Sequence, residues 1–278
     1  GAAAIYGMNA ANGVILVTTK RGSEGKPKFQ YNGSISISNP TEMPEMANAY
    51  QWIEMRNDAA VNMGLAPIYT KEEVELWRQG GEGYESVDWY NETMKKTAIQ
   101  QQHTFSVRGG SDKVNYYASL GFLKDPGLLK SNAIQYEKYS FRSNVTARLN
   151  NNLTTEIDLS GWYDEKDGSR WPIMDIIRGT VSELPIHTPY ANNNVDYPAY
   201  VYDGQAYNPL VTSNSDLVGY TKGVAKSFKS SVSLKYDVPF VEGLELKGIA
   251  YYEHGNGYSK SLYKSFNMFT YNQTSDEY

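Results

Sequence analysis

The side chains that could do chemistry in this chain are few and scattered. The only histidines are His103, His187 and His254, and no two stand at a ligand-like spacing. Cysteine is absent, which removes thiolate zinc sites, disulfide frameworks and thiol nucleophiles. Asp164, Glu165 and Asp167 bring three carboxylates close together and offer oxygen ligands for Ca²⁺, but they do not fit the EF-hand pattern. They read as a solvated acidic turn. Serines abound, yet no nucleophile elbow is visible and nothing places a Ser, a His and an acid together. The glycine-bearing opening lacks the Gly-Lys-Ser/Thr ending of a phosphate loop. No metal, cofactor or catalytic centre is expected.

Recognition chemistry is better represented. Trp171, Tyr190, Tyr197, Tyr200, Tyr202 and Tyr207 crowd one segment, interleaved with Asn192, Asn193, Asn194 and Asp196. Trp77, Tyr84, Trp89 and Tyr90 form a smaller group upstream. Aromatic faces stack on sugar rings, while amides and carboxylates satisfy hydroxyls. The candidate ligand contacts are Trp171, Tyr190, Asn193, Asp196, Tyr200, Tyr202, Tyr207, Trp77 and Trp89. The competing reading is that these residues hold loops together or form an interfacial belt.

The elements that must position them are extended. Tyr is the compositional outlier, with 24 residues against 8 Phe and 5 Trp. Seven segments alternate apolar and polar residues at period two: 28–38, 100–110, 113–124, 139–150, 153–163, 226–238 and 244–253. In 153–163, for example, Leu153, Ile157, Leu159 and Tyr163 oppose Thr154, Glu156, Asp158 and Ser160. Such strands have two unlike faces, and they exceed the ordinary strand length of about 5–6 residues. No apolar run is long enough for a membrane-crossing helix, so a barrel is the only spanning option.

The connections sort by length. Long ones (39–99, 125–138 and 164–225) alternate strictly with short ones at Ser111-Asp112, Asn151-Asn152 and Pro239–Gly243. Outer-membrane barrels have short periplasmic turns and long external loops. Helices are expected within the loops. Over 47–62, Tyr50, Ile53 and Val61 form the packing side. Over 70–79, Thr70 and Glu73 make a capping box. Over 172–184, Ile173, Ile176, Ile177, Thr180, Val181 and Leu184 form one stripe. The opening differs: Val14-Ile15-Leu16-Val17 is continuously apolar and fits a strand buried on both faces. Gly22 to Pro27 reads as a linker, which places a domain boundary between 1–24 and 25–278. A net charge of −5 with dispersed Lys and Arg excludes a nucleic-acid footprint.

The run from Ala4-Ile5-Tyr6-Gly7 through Ala11-Asn12-Gly13-Val14-Ile15-Leu16-Val17-Thr18-Thr19-Lys20-Arg21-Gly22 resembles the end of the plug domain in SusC/RagA-family TonB-linked outer-membrane proteins. So do Asp88-Trp89, Ser106-Val107-Arg108-Gly109-Gly110-Ser111, Tyr116 to Phe122 and Tyr139 to Asn144. Beyond residue 165 the likeness thins to Asn208-Pro209-Leu210 and the strand pattern. The resemblance implies an all-β fold, a piece of a 22-stranded transmembrane barrel with helix-containing external loops. Residues 1–24 would end a plug and 25–278 begin the barrel, with both ends of the parent protein missing. It further implies the cell outer membrane of a Gram-negative, Bacteroidetes-like cell, and a SusD-like surface lipoprotein as lid. The TonB complex would act through a segment not contained here, and the cargo would be glycan or peptide. The alternative is a structural or adhesive surface barrel that does not transport.

Overall fold

Alternating side chains put one apolar and one polar face on each extended segment, and neighbouring segments pair so that like faces align. The computed structural model describes residues 19–201, 207–272 and 274–278. It contains a seven-stranded antiparallel meander in chain order: β1 (Gly25–Ser38), β2 (Ala98–Gly110), β3 (Val114–Asp125), β4 (Gln135–Arg148), β5 (Leu153–Ser169), β6 (Gly219–Asp237) and β7 (Glu245–Tyr263). The outer edges of β1 and β7 have no strand partner among the described residues, so the sheet is an unclosed section of barrel wall. Among the described residues, no helix is long and apolar enough to cross a membrane.

All seven expected strands are present, and the alternation of long and short connections holds. The strands run further than the apolar pattern does. β5 continues to Ser169 and β6 begins at Gly219, which trims the second long loop at both ends. Residues 164–169 are polar on both faces, so periodicity cannot mark them, yet the backbone ladder with β6 continues through Ser169↔Tyr220. The acidic trio is therefore strand, not turn. Glu165 and Asp167 face one side and both meet Lys222, at 3.8 and 3.3 Å. Asp164 faces the other and accepts from the Tyr136 hydroxyl at 3.1 Å. Three carboxylates on opposite faces of a strand cannot converge on one cation, and no metal-holding group occurs among the described residues.

The apolar face is largely open, with Val224 buried among its neighbours. Ile35 is 72%, Leu120 63% and Tyr258 62% exposed. A row of rings crosses five strands on this face, diagonal at its first step and in register after it: Tyr31–His103 (6.0 Å), His103–Phe122 (6.3 Å), Phe122–Tyr139 (5.1 Å) and Tyr139–Tyr163 (6.4 Å). The Tyr31 hydroxyl bonds His103 Nδ1 at 2.6 Å. Beyond the row the same face turns ionic, with Lys124–Glu137 at 2.7 Å and the Lys222 cluster. From Leu153 to Tyr163 is about ten residue steps, or about 33 Å of strand; tilted as barrel strands are, that spans about 25 Å, the height of the apolar band of an outer-membrane barrel. Within the band Gly161 lies between Phe141 and Phe228 in the register. Those rings approach to 6.3 Å, and a Cβ on Gly161 would come within 2.6 Å of the Phe141 ring.

The opposite face is polar, and the residues just ahead of β1 lie against it; Gly25 to Pro27, expected as linker, are already strand. Arg21 pairs with Glu156 at 3.4 Å and Asp158 at 3.5 Å, and the Asn144 amide donates to Asp158. Gly22 rests on the backbone of β3 so closely that a Cβ would stand 2.2 Å from the Tyr116 nitrogen. Strand backbone cannot yield to a methyl group, so Gly22→Ala will lift the linker. In the intact protein, tryptic cleavage after Lys20 and Arg21 should accelerate while the sheet stays folded; unchanged cleavage would refute this seating. Of the anticipated plug end, residues 1–18 lie outside the described residues.

Among the described residues six α-helices, α1 to α6, occupy the loops. α1 (Ala49–Asn62) and α2 (Lys71–Gln79) both start with capping boxes, Asn48/Gln51 and Thr70/Glu73. The Thr70 backbone N–H holds the Glu73 carboxyl below its ordinary range. Ile53 is buried as expected, but Val61 is 53% exposed and Ala60 points inward instead. At about 100° per residue, Ala60 lies about 20° from Ile53 around the helix and Val61 about 80°. α3 (Trp89–Thr93), α4 (Ile173–Ser182) and α5 (Pro209–Ser213) pack together, and α6 (Ser215–Val218) leads into β6. On α4 the stripe narrows to Ile176 and Thr180, fully buried, flanked by half-exposed Ile173 and Val181.

Candidate functional site

Two small cores tie the long loops into one cap. Tyr90, Met94, Leu129 and Ile176 form the first, with Trp171 against it. Trp89, Ala199 and Val201 form the second. Hydrogen bonds then stitch distant segments: Val87 N donates to Pro185 O and Trp89 Nε1 to Leu184 O, both at 2.9 Å. Tyr200 N donates to Phe269 O, and Phe269 N to Pro198 O, both at 2.8 Å. Asn208 is fully buried at the centre. Its amide donates to the carbonyls of Pro189 (2.9 Å) and Ala199 (3.1 Å), and its carbonyl caps α5 through Leu210 N (3.0 Å). The Asn208-Pro209-Leu210 motif is thus a structural staple: Pro suits the first turn of a helix, and the Asn satisfies three backbone groups that would otherwise be stranded.

On this cap opens a cavity of about 780 Å³, lined from three segments by Glu82 and Glu85, by Ile186 to Thr188 with Ala191 to Asn193 and Ala199 to Val201, and by Phe269 to Tyr271. That volume falls in the range of ligand pockets, about 300–1,000 Å³. Asn192 and Asn193 take left-handed backbone angles, φ 50° and 53°, which Asn tolerates better than most residues. The turn aims the Asn193 amide at Glu85 Oε1, 3.1 Å away. His187 Nδ1 lies 2.6 Å from Glu183 Oε1, whose side chain is wholly buried. A second cavity, about 650 Å³, lies on the polar face of the sheet beneath the linker, and Lys20, Lys138, Arg142, Trp162 and Lys229 contribute to its wall. Lys138 stands 5.2 Å over the Trp162 ring.

No protein-family model matches the chain. TonB-dependent receptor P26 of Formosa agariphila is 32% identical over 169 residues, covering 59% of this chain and 16% of the receptor. TonB-dependent receptor SusC of Bacteroides thetaiotaomicron is 31% identical over 134 residues, covering 47% of this chain and 12% of the receptor. The chain is a relative of the TonB-dependent receptors. It spans less than a fifth of the length of these receptors. The RagAB peptide importer in its closed-closed state superposes with a TM-score of 0.70 at 20% identity, over 92% of this chain and 31% of the solved one. The RagAB peptide transporter gives 0.71 at 21%. The fold shared is an open section of their barrel wall, and the matched proteins are receptors and importers, not enzymes.

In this TonB-dependent receptor relative, the candidate contacts divide. Asn193 and Tyr200 line the cap cavity. Tyr190 is half-buried beside it, bridged to Pro198. Asp196 is exposed on the next turn, where its N–H is taken by Asn194 Oδ1. Trp171 and Tyr207 face each other edge-on at 5.3 Å, within the packing of the cap. Trp77 meets Tyr84 edge-on at 5.2 Å on α2. Trp89 is 2% exposed and serves the second core. Tyr202 lies outside the described residues. Glu82, Glu85, His187, Phe269 and Tyr271 also line the cavity but stand in no motif. Their signal in the sequence is negative: 79–94 and 183–201 carry acids and no Lys or Arg.

Proposed function

We propose that residues 1–24 end a plug and residues 25–278 begin the barrel of an outer-membrane TonB-dependent transporter that imports oligosaccharides or peptides. The carrying observation is the division of the sheet's two faces. One is a bare apolar band, closed at the external end by rings and then ions. The other is polar and already engaged by the linker through Arg21. A lipid-facing outside and a plugged, wet inside account for both. The external cap, with Asn193 and Tyr200 at its cavity, is the cargo-contacting surface in this reading. A SusD-like surface lipoprotein would close over it, and the TonB complex would act from the opposite side. The relatives are TonB-dependent receptors and RagAB is a peptide importer, which supports a receptor and importer role.

The test is deletion of the intact gene, followed by growth on panels of glycans and of peptides as sole nutrient. Loss of growth on one class, restored by the gene but not in a strain lacking TonB, is the expected result. A non-transporting adhesive barrel would leave growth untouched. Recovery of the intact protein from the aqueous fraction without detergent would defeat both readings.

A further inference from the structure

The cap cavity has an unbalanced charge. Glu82 and Glu85 stand in its wall, and neither Lys nor Arg does. The imbalance extends to the segments that build it. Residues 79–94 hold Glu82, Glu85, Asp88 and Glu92; residues 183–201 hold Glu183 and Asp196; residues 265–278 hold Asp276 and Glu277; none of the three stretches contains a Lys or Arg. Yet the chain has 26 such residues to distribute, and the cavity beneath the linker draws four of them. Glu85 is held by a neutral donor, the Asn193 amide, and its second oxygen is out of water without a hydrogen bond among the described residues. A carboxylate whose one held oxygen meets only a neutral amide is favoured by a cation brought into the adjoining cavity. The rings of Tyr200, Phe269 and Tyr271 complete the wall, and ring faces attract cations further.

We propose that this cavity selects ligands bearing a positively charged nitrogen, an ammonium or guanidinium group, and disfavours carboxylated or sulfated ones. The proposal rests on the reading of the cap as the cargo-contacting surface. An amino sugar and a basic peptide share the required chemistry, so the probes must separate them.

The experiment measures binding to the intact protein in detergent at low and high salt. One probe pair is a glucosamine tetramer and its N-acetylated, neutral counterpart. The other is a short lysine-containing peptide and the same peptide acetylated on its amines. The expected result is about tenfold tighter binding of at least one charged probe over its neutral partner, a preference that shrinks as salt rises and is reduced in Glu85→Gln and in Glu82→Gln. Glu82 is exposed, so its replacement leaves folding undisturbed even if that of Glu85 does not. The pair that shows the preference identifies the source of the nitrogen. Equal affinity within both pairs, with binding abolished by Tyr200→Ala, would overturn the charge selection and leave the cargo surface standing. Absence of binding by all four probes overturns the selection too, and the growth tests then decide separately whether the chain serves transport.

Discussion

Arginine at Val232 will cost the intact protein about 2–4 kcal/mol of folding stability in a bilayer, whereas arginine at the adjacent Ser231 will cost a small fraction of that. Val232 is 42% exposed on the apolar face, level with Ile157 and Ala250, near the middle of the band. A guanidinium there must lie in hydrocarbon or drag water inward. Ser231 points to the other face, opposite Asp158 and Tyr251, where an arginine meets water and a carboxylate. Because side chains alternate strictly, one step along the strand reverses the environment. Denaturant titration of both variants refolded into phospholipid vesicles reads the difference. Equal costs at the two positions would show that the apolar face is covered by protein and not by lipid.

Removing the Trp89 indole will cost about 3–5 kcal/mol, and the loss will appear in the cap alone. The side chain is 2% exposed among Ala199, Val201, Val87 and Leu210, and its N–H satisfies the Leu184 carbonyl. In Trp89→Ala the packing and that hydrogen bond go together, which frees the 184–201 segment from α3. The sheet is held by its own continuous ladders, so the opening is local. Hydrogen exchange on the intact protein should show protection lost around Val87 and Ala199 while β3 to β5 remain protected. Trp77→Ala is the control: Trp77 is only half-buried against Tyr84, and its loss should cost about 0.5–1.5 kcal/mol. Comparable exchange in the two variants would contradict the assignment of Trp89 to the core.

The two tryptophans show where sequence reasoning succeeds and where it stops. Period-two alternation reveals a strand whenever its faces differ, so β3 was legible nearly to its ends, while β4 begins four residues before its expected start. It fails where both faces are polar, which is why β5 past Tyr163 was hidden inside an expected loop, and with it the start of β6, whose Gly219 to Ala225 show no clean alternation. The capping box at Thr70 and Glu73 was legible because its partners are three residues apart. The cap cavity was not, since Glu85, Asn193 and Tyr271 are brought together only by cross-loop hydrogen bonds that no local pattern encodes. An aromatic cluster marks a place where the chain must condense. It does not say which rings face outward: Asn193 and Tyr200 reach the cavity, while Trp89, Trp171 and Tyr207 are spent on holding the cap together.

The seating of the linker has a mechanical consequence. Gly22 is pressed to the β3 backbone, and Arg21 is fastened two strands away to Glu156 and Asp158. The stretch just ahead of β1 is therefore pinned to the wall. Traction applied ahead of residue 19 would load those ion pairs before it reached the first rung of β1. Half-exposed ion pairs weaken with ionic strength, so the force needed to release the tether should fall as salt rises, while the wall that anchors it keeps its rigidity.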